Sequence, residues 1–279
     1  MEQALHNHAV GIIARLLRAR TGQVISEDRR WRIDRAIEAV LRKRGISRSS
    51  DIITLLTQPD SAAVEEELVE ALLNNETYFF RDRQVFTQLA NSVLPALCRA
   101  KSEARELKIC SVGCSTGQEP LSLAIMLIEQ GLTRGTGWNI QIKATDISRS
   151  AIAAARQGFY SRFEIQRGLG VAQMLRHFEE TPDGWQASQH LLGMIDYDVA
   201  DFLTGSVPDQ ADLILCRNVM LYFDDDAKAV GCQRLFDALP LHGRLLLGGG
   251  ETLTARHSGF VPAAQDLAIY KRDDRAIAA

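Results

Sequence analysis

Residues 107–127 read LKICSVGCSTGQEPLSLAIML: a β-prone apolar run enters the turn Gly113-Cys114-Ser115-Thr116-Gly117, and Pro120 marks the first turn of a helix. Glycines at such a corner let backbone approach a ligand closely. The spacing is GxxxG and not the dinucleotide fingerprint GxGxxG, and the GKS or GKT ending of a phosphate-binding loop is absent. The next β-prone run, IKATDIS at 142–148, ends in Asp146, where a carboxylate accepts both hydroxyls of a ribose or, alternatively, caps the helix that follows. Asp201 follows a further strand candidate and is placed to meet an adenine edge. A ribose with little or no phosphate points to S-adenosylmethionine rather than NAD or ATP. In ILCRNVMLYF at 214–223, Arg217, Asn218 and Tyr222 lie just past a buried strand, where open α/β sheets bind ligands. Tyr222 is equally readable as an anchor whose hydroxyl finds a backbone partner.

One more stretch carries chemistry. NNETYFFRDR at 74–83 sets Arg81 directly after three aromatics, with Asn75 and Thr77 before them, and fits neither helical nor strand periodicity. An arginine in apolar surroundings calls for an anion. The expectation is that Arg81 meets one, while Tyr78, Phe79 and Phe80 hold the segment in the core.

These residues need a scaffold, and the pattern supplies two kinds. From residue 5 to about 100 the periodicity is helical, with helices expected at 5–20, 49–57, 61–73 and 83–99, the last containing Pro95. Between the first two, Ile33, Ile37, Val40 and Leu41 share one helix face while Arg29, Arg32, Arg35, Arg42 and Lys43 gather opposite. That basic side is either an ordinary solvated face or a surface for an acidic partner. After 101–106, strands at 107–112, 140–145, 211–215 and 243–247 alternate with helices near 119–130, 148–156 and 225–239, which implies a parallel sheet covered by helices. Residues 159–197 interrupt the alternation, and GWQAS with MIDYDV suggests a small strand-containing insertion.

Composition bounds the class. The chain has 279 residues, 46% hydrophobic and 24% charged, which is room for one large or two ordinary globular domains. No apolar run approaches a membrane span and the N-terminus lacks a signal-peptide layout, so a cytoplasmic protein without membrane insertion is expected. Five cysteines at 98, 110, 114, 216 and 232 form no CxxC pair, which argues for reduced thiols and no metal site. Net charge is −3, but residues 1–48 hold eleven Arg and Lys against five Asp and Glu, leaving −9 on the rest. A basic segment on an acidic body suits an acidic partner.

In consistent order from about residue 10 to 272, NNETYFFRDR, SVGCSTGQEPLSLA, ATDIS, ARQGFY and LILCRNVMLYF resemble the CheR-type chemoreceptor methyltransferases, which esterify glutamates. The resemblance implies an all-α N-terminal domain at 1–82 with a receptor-facing basic helix. It further implies a linking helix and linker at 83–106, and a Rossmann-like S-adenosylmethionine-dependent methyltransferase domain at 107–279 with a small antiparallel β-subdomain inserted at about 160–198. It implies Arg81 and Tyr222 at the transferring methyl, with Asn75 and Thr77 beside the donor. Asp146 would bind the ribose, Asp201 and Phe202 the adenine, and Glu119, the 113–117 turn, Arg217 and Asn218 the remainder. S-adenosylhomocysteine would be the product, the cytoplasmic domain of a methyl-accepting chemoreceptor the partner, and the enzyme a monomer. The chain departs from the family at Gln118, where an acid is usual, at Asp201, where Asn is common, and at Gly248-Gly249-Gly250-Glu251, where GHSE is common. The connection at 177–188 has a compact Pro182-Asp183-Gly184 turn and no Gly-x-Gly insertion, so binding of a receptor's C-terminal pentapeptide is not expected. Two other classes stay open: a nucleic-acid methyltransferase, which lacks support from any aromatic and basic interleaving, and a donor-binding scaffold that does not catalyse.

Overall fold

The computed structural model describes residues 2–46, 48, 51–205, 207, 209–251, 253, 259–263 and 268–273. The chain forms two compact units, one of Met1–Asn74 with Tyr222–Ala227, the other of Asn75–Leu221 with Lys228–Ala279.

The smaller unit is built from α1 (Glu2–Thr21), α2 (Trp31–Lys43), α3 (Asp51–Leu56) and α4 (Ala62–Leu72). Residues 49 and 50 of the expected helix 49–57 lie outside the described residues. Apolar positions at helical spacing explain the packing: Ile33, Ala36, Ile37, Val40 and Leu41 of α2 meet Ile13 and Leu17 of α1 and Leu68 and Leu72 of α4 in one core. Arg29 departs from the expected pattern, since it ends a 3-10 turn (Glu27–Arg29) ahead of α2 and is not part of it.

The larger unit opens with the helical run expected at 83–99, formed by α5 (Arg83–Gln88), a π segment (Leu89–Val93) and α6 (Leu94–Ala100) without interruption. Pro95 accounts for the π segment, because it has no N–H to return to the preceding turn. The chain then runs β1 (Glu106–Val112), α7 (Gln118–Glu129), β2 (Asn139–Asp146), α8 (Arg149–Gln157), β3 (Phe159–Tyr160), α9 (Arg162–Gln166), α10 (Val171–His177), β4 (Phe178–Glu180), β5 (Trp185–Ala187), α11 (Gln189–Leu192) and β6 (Ile195–Val199). It ends with β7 (Leu213–Cys216), α12 (Asp225–Ala238), β8 (Arg244–Leu247), β9 (Phe260–Pro262) and β10 (Ile269–Arg272). Seven strands form one sheet in the order β6-β2-β1-β7-β8-β10-β9. The first five are mutually parallel and β10 is antiparallel to both neighbours. This is the expected Rossmann-like sheet. Consecutive strands step outward on opposite sides of the β1/β7 boundary, so a crevice opens there at the strands' carboxyl ends.

A separate antiparallel sheet, β3-β5-β4, is the expected insertion. Its extent needs correction. The insertion is expected at about 160–198, but β6 pairs in parallel with β2, Ile142 opposite Ile195 through Asp146 opposite Val199, and belongs to the large sheet. Alternating exposed residues in MIDYDV read as a small-sheet strand; β6 alternates because it is the edge of the large sheet. Strand β9 is three residues long and β10 turns charged after Tyr270, so neither forms an apolar run long enough to read as a strand.

Candidate functional site

The turn after β1 is held from three sides. Gly113 and Cys114 donate to the Thr145 carbonyl (2.8 and 3.0 Å), Ser115 N to Asp146 Oδ2 (2.8 Å), and Gly117 N to the Cys114 carbonyl (3.0 Å). Four of the turn's five N–H groups are therefore spent internally, which fixes the shape of the corner. Gly117 (φ 93°) has Tyr197 Oη, Ala155 Cβ and Tyr160 Oη within 3.1 Å of where a Cβ would stand. Tyr160, from β3, also donates to the Thr116 carbonyl (2.8 Å), so the inserted subdomain buttresses the turn. Gln118, buried where an acid is usual in the resemblance, accepts from Thr116 Oγ1 (2.8 Å).

Asp146 ends β2 as expected. Its second oxygen accepts from Ser148 N (2.8 Å), while Ser148 itself caps α8 by accepting from Ala151 N. A carboxylate oxygen accepts more than one hydrogen bond, so the two backbone contacts fix Asp146 without exhausting it. Asp201 is more committed, bonding Leu203 N (2.9 Å) and Thr204 Oγ1 (2.7 Å) in its own turn. Phe202 is buried, and a Cβ on Gly231 would meet its ring at 2.8 Å, so this side chain packs into the core.

The segment 75–83 lies against that turn. Asn75 accepts from Ser115 Oγ through its carbonyl (2.7 Å) and donates through Nδ2 to Ser148 (3.3 Å). Thr77 is half-buried. The aromatics divide their roles, contrary to the expectation that all three enter the core. Phe79 alone is fully buried, edge-on to Tyr160 (5.0 Å) and Phe178 (5.5 Å). Phe80 sits at φ 50°, a left-handed conformation that is an outlier for a bulky residue, with its N–H on Ser122 Oγ (2.9 Å) and its ring against Phe86. Asp82, Ser115 and Asn218 share that conformation (φ 61°, 50° and 59°). Such strain gathers where surrounding structure over-determines a site. Arg81 has no carboxylate bonded to it among the described residues: Nη1 donates to the Glu76 carbonyl (3.1 Å) and the guanidinium lies 5.6 Å from the Tyr78 ring.

Arg217 occupies the crevice from the other side. Its side chain is 1% exposed, and it donates to Glu119 Oε2 (3.0 Å), Asp82 Oδ2 (2.5 Å) and the Arg81 carbonyl (2.9 Å). Glu119 is completed by Ser111 Oγ (2.8 Å). Arg217 Nε and Asn218 Oδ1 are buried without a hydrogen-bond partner among the described residues. These orphaned atoms, beside a left-handed backbone, fit S-adenosylmethionine, whose amino-acid end supplies both donors and acceptors. Glu251, which in the sequence stands out only as the end of the GGGE departure, is a principal support here. It is 5% exposed and accepts from Asn218 N (2.7 Å), Gly248 N (2.8 Å) and Leu221 N (3.2 Å). The loop it holds presses Val219 onto Gly113, where a Cβ would lie 2.3 Å from Val219 Cγ2. A glutamate among glycines after a strand is the signal that marks it.

The remaining expected residues belong to the smaller unit. Tyr222 Oη meets Asn74 Nδ2 (2.6 Å) and its carbonyl accepts from Val24 N (2.7 Å), so the anchor reading finds a side-chain partner for the hydroxyl. Arg29, Arg35, Arg42 and Lys43 are exposed. Lys43 pairs with Glu67 (2.7 Å), and Arg32 turns inward to the Leu72 carbonyl. Arg35 and Arg42 have no ion-pair partner among the described residues.

A family model described as CheR methyltransferase, SAM binding domain, matches residues 75–267. Chemotaxis protein methyltransferase 1 of Vibrio cholerae serotype O1 is 30% identical over 243 residues, 86% of this chain and 87% of that protein. A Pseudomonas aeruginosa protein of the same name is 30% identical over 237 residues, 83% and 85% of the respective chains. The "Probable biofilm formation methyltransferase WspC" of Pseudomonas aeruginosa is 29% identical over 269 residues, 94% of this chain and 61% of that one.

Proposed function

The chain belongs to the CheR methyltransferase family and carries its S-adenosylmethionine-binding domain, and from that membership we propose that it methylates glutamate side chains in the cytoplasmic domain of a methyl-accepting chemoreceptor. The products are glutamate methyl esters and S-adenosylhomocysteine. Relatives bear both chemotaxis and biofilm names, so the proposal names the receptor class and not the behaviour it controls.

The observation that carries this reading is Arg81, a guanidinium with no bonded carboxylate among the described residues. The bound donor supplies an electrophilic methyl. A glutamate with a side-chain pKa of about 4.3 is already the nucleophile near neutral pH, so the protein's task is positioning and removal of water. One carboxylate oxygen forms the new C–O bond as the C–S bond breaks, and no proton moves. Arg81 would hold the second oxygen through its planar fork. Orientation of this kind contributes on the order of 7–11 kcal/mol in well-aligned systems. Asp146 would take the ribose hydroxyls, Glu119 and Arg217 the amino-acid end with Asn218, and Tyr222 the neighbourhood of the methyl.

Arg29, Arg35 and Arg42 would meet an acidic receptor surface, with Arg32 and Lys43 occupied by contacts of their own. The turn Thr181–Gly184 is closed by Thr181 N to the Gly184 carbonyl (2.8 Å) and Thr181 Oγ1 to the same oxygen (3.0 Å). It leaves little loop to wrap a tethering peptide, which supports direct docking without a pentapeptide. No helix among the described residues is long and apolar enough to cross a membrane; a monomeric enzyme acting in the cytoplasm is part of the proposal. Incubation with radiolabelled donor and receptor cytoplasmic domains tests the proposal: base-labile methanol release is expected, whereas base-stable label, or label on nucleic acid, would overturn it.

A further inference from the structure

Two guanidinium groups share one short segment. Arg167, in the bend between α9 and α10, sets Nη2 2.8 Å from Glu76 Oε1 and its guanidinium carbon 4.3 Å from the Tyr78 ring centroid. Arg81 uses the same two residues differently, donating to the Glu76 carbonyl and lying at the Tyr78 ring. The bend cannot drift from the segment. A Cβ on Gly168 (φ 94°) would lie 1.8 Å from the Phe79 carbonyl oxygen, and the Gly168 carbonyl accepts from Arg83 Nη2 (2.9 Å).

The Glu76 carboxylate lies within reach of the Arg81 charge and is a competitor for its guanidinium inside the same segment. It lies five positions away in sequence on a segment already bonded to Arg81, and an intramolecular carboxylate enjoys a high effective concentration over one on a separate protein. Arg167 takes it first. That bond, with the Arg81 charge behind it, holds the Glu76 carboxyl below the usual carboxylate range.

We propose that Arg167 is a positioning residue for Arg81: by occupying the Glu76 carboxylate it prevents that group from closing on Arg81, and so leaves the Arg81 fork open to the substrate carboxylate. This rests on the reading of Arg81 given above. It assigns the inserted subdomain a part in transfer, since Arg167 reaches the catalytic segment from there.

The test is steady-state methylation of a receptor cytoplasmic domain with radiolabelled donor, alongside donor affinity by calorimetry and thermal melts. Arg167→Ala is expected to raise the receptor KM about tenfold, the size of one lost charge-assisted interaction, with donor affinity unchanged. Adding Glu76→Gln to that variant is expected to bring the KM back to within about twofold of wild type, because the amide no longer competes for the guanidinium. Arg167→Lys, which keeps the charge and loses the planar stack, should fall between. Glu76→Gln alone should leave the KM at or below the wild-type value. A normal KM in Arg167→Ala, a KM defect that Glu76→Gln does not relieve, or a raised KM in Glu76→Gln alone would each overturn the inference. Arg81→Ala separates it from the underlying reading: retained transfer there would refute the carboxylate site itself, whereas a dead Arg81→Ala with no Glu76 rescue would refute only the role of Arg167.

Discussion

Replacing Arg217 by methionine tests how the crevice is held together. The change removes a guanidinium that is 1% exposed and its bonds to Glu119, Asp82 and the Arg81 carbonyl. Asp82 is 44% exposed and regains water, so its loss counts for little. Glu119 is only 12% exposed and keeps Ser111 on one oxygen while the other faces a buried space without a cation. Breaking one side of a buried pair costs about 3–5 kcal/mol; with Asp82 discounted, the expected loss is about 3 kcal/mol in urea unfolding, at an unchanged m value. Glu119→Gln in the same chain removes the stranded charge and should restore about 1–2 kcal/mol, a coupling typical of residues in direct contact. Affinity for S-adenosylhomocysteine should fall in Arg217→Met and stay low in the double variant, which lacks both groups. A loss below about 1 kcal/mol, or strictly additive effects, would show that the network does not bear on stability.

Asp146→Ala should weaken S-adenosylmethionine and S-adenosylhomocysteine binding alike by at least about tenfold, and unchanged calorimetric titrations would remove the ribose assignment. Gly168→Ala, which sets a methyl against the Phe79 carbonyl at a positive φ, should destabilise by more than about 1 kcal/mol, read by thermal melting against wild type. Burial pushes the Cys110 thiol to about 12 and Cys232 to about 11, and raises Cys114 and Cys216 well above the ordinary range. The thiolate is the reactive form, so Cys98, half-buried and raised less far, should react first with a disulfide reagent at pH 8 and all five only in urea. Reversing charge at Arg29, Arg35 and Arg42 should raise the receptor KM and flatten its salt dependence while donor affinity stays constant; equal activity at low salt would make this an ordinary solvated face.

The large sheet was legible because its strands are buried on both faces and read as unbroken apolar runs, as LILC at β7 does. MIDYDV was assigned to the wrong sheet because alternation reports a half-exposed strand without reporting which sheet it borders. At the site, Asp146 and Arg217 are legible by type at strand ends, whereas Glu119, in the first turn of α7, is expected only from the resemblance. Arg167 and Gly168 are not legible, since their meaning depends on Glu76 and Phe79 about ninety positions away. The split among Tyr78, Phe79 and Phe80 is hidden for a different reason: hydrophobicity does not encode the left-handed backbone that leaves Phe80 only partly buried at the edge of the core, against Phe86.

The stretch Tyr222–Ala227 is grouped with the helical unit, not with the sheet whose strands flank it in sequence. Its attachments are specific. Gln23 bridges Phe223, Arg18 pairs with Asp224, Gly22 accepts from Asp224 N, and Asn74 bonds Tyr222. A cut after residue 74 would therefore not release a self-sufficient catalytic fragment, because six residues of the downstream sequence would lose the surroundings that order them. The helices and the tyrosine must be inherited together, and a recombination event that exchanged the first 74 residues for another domain would have to bring new partners for Tyr222 as well.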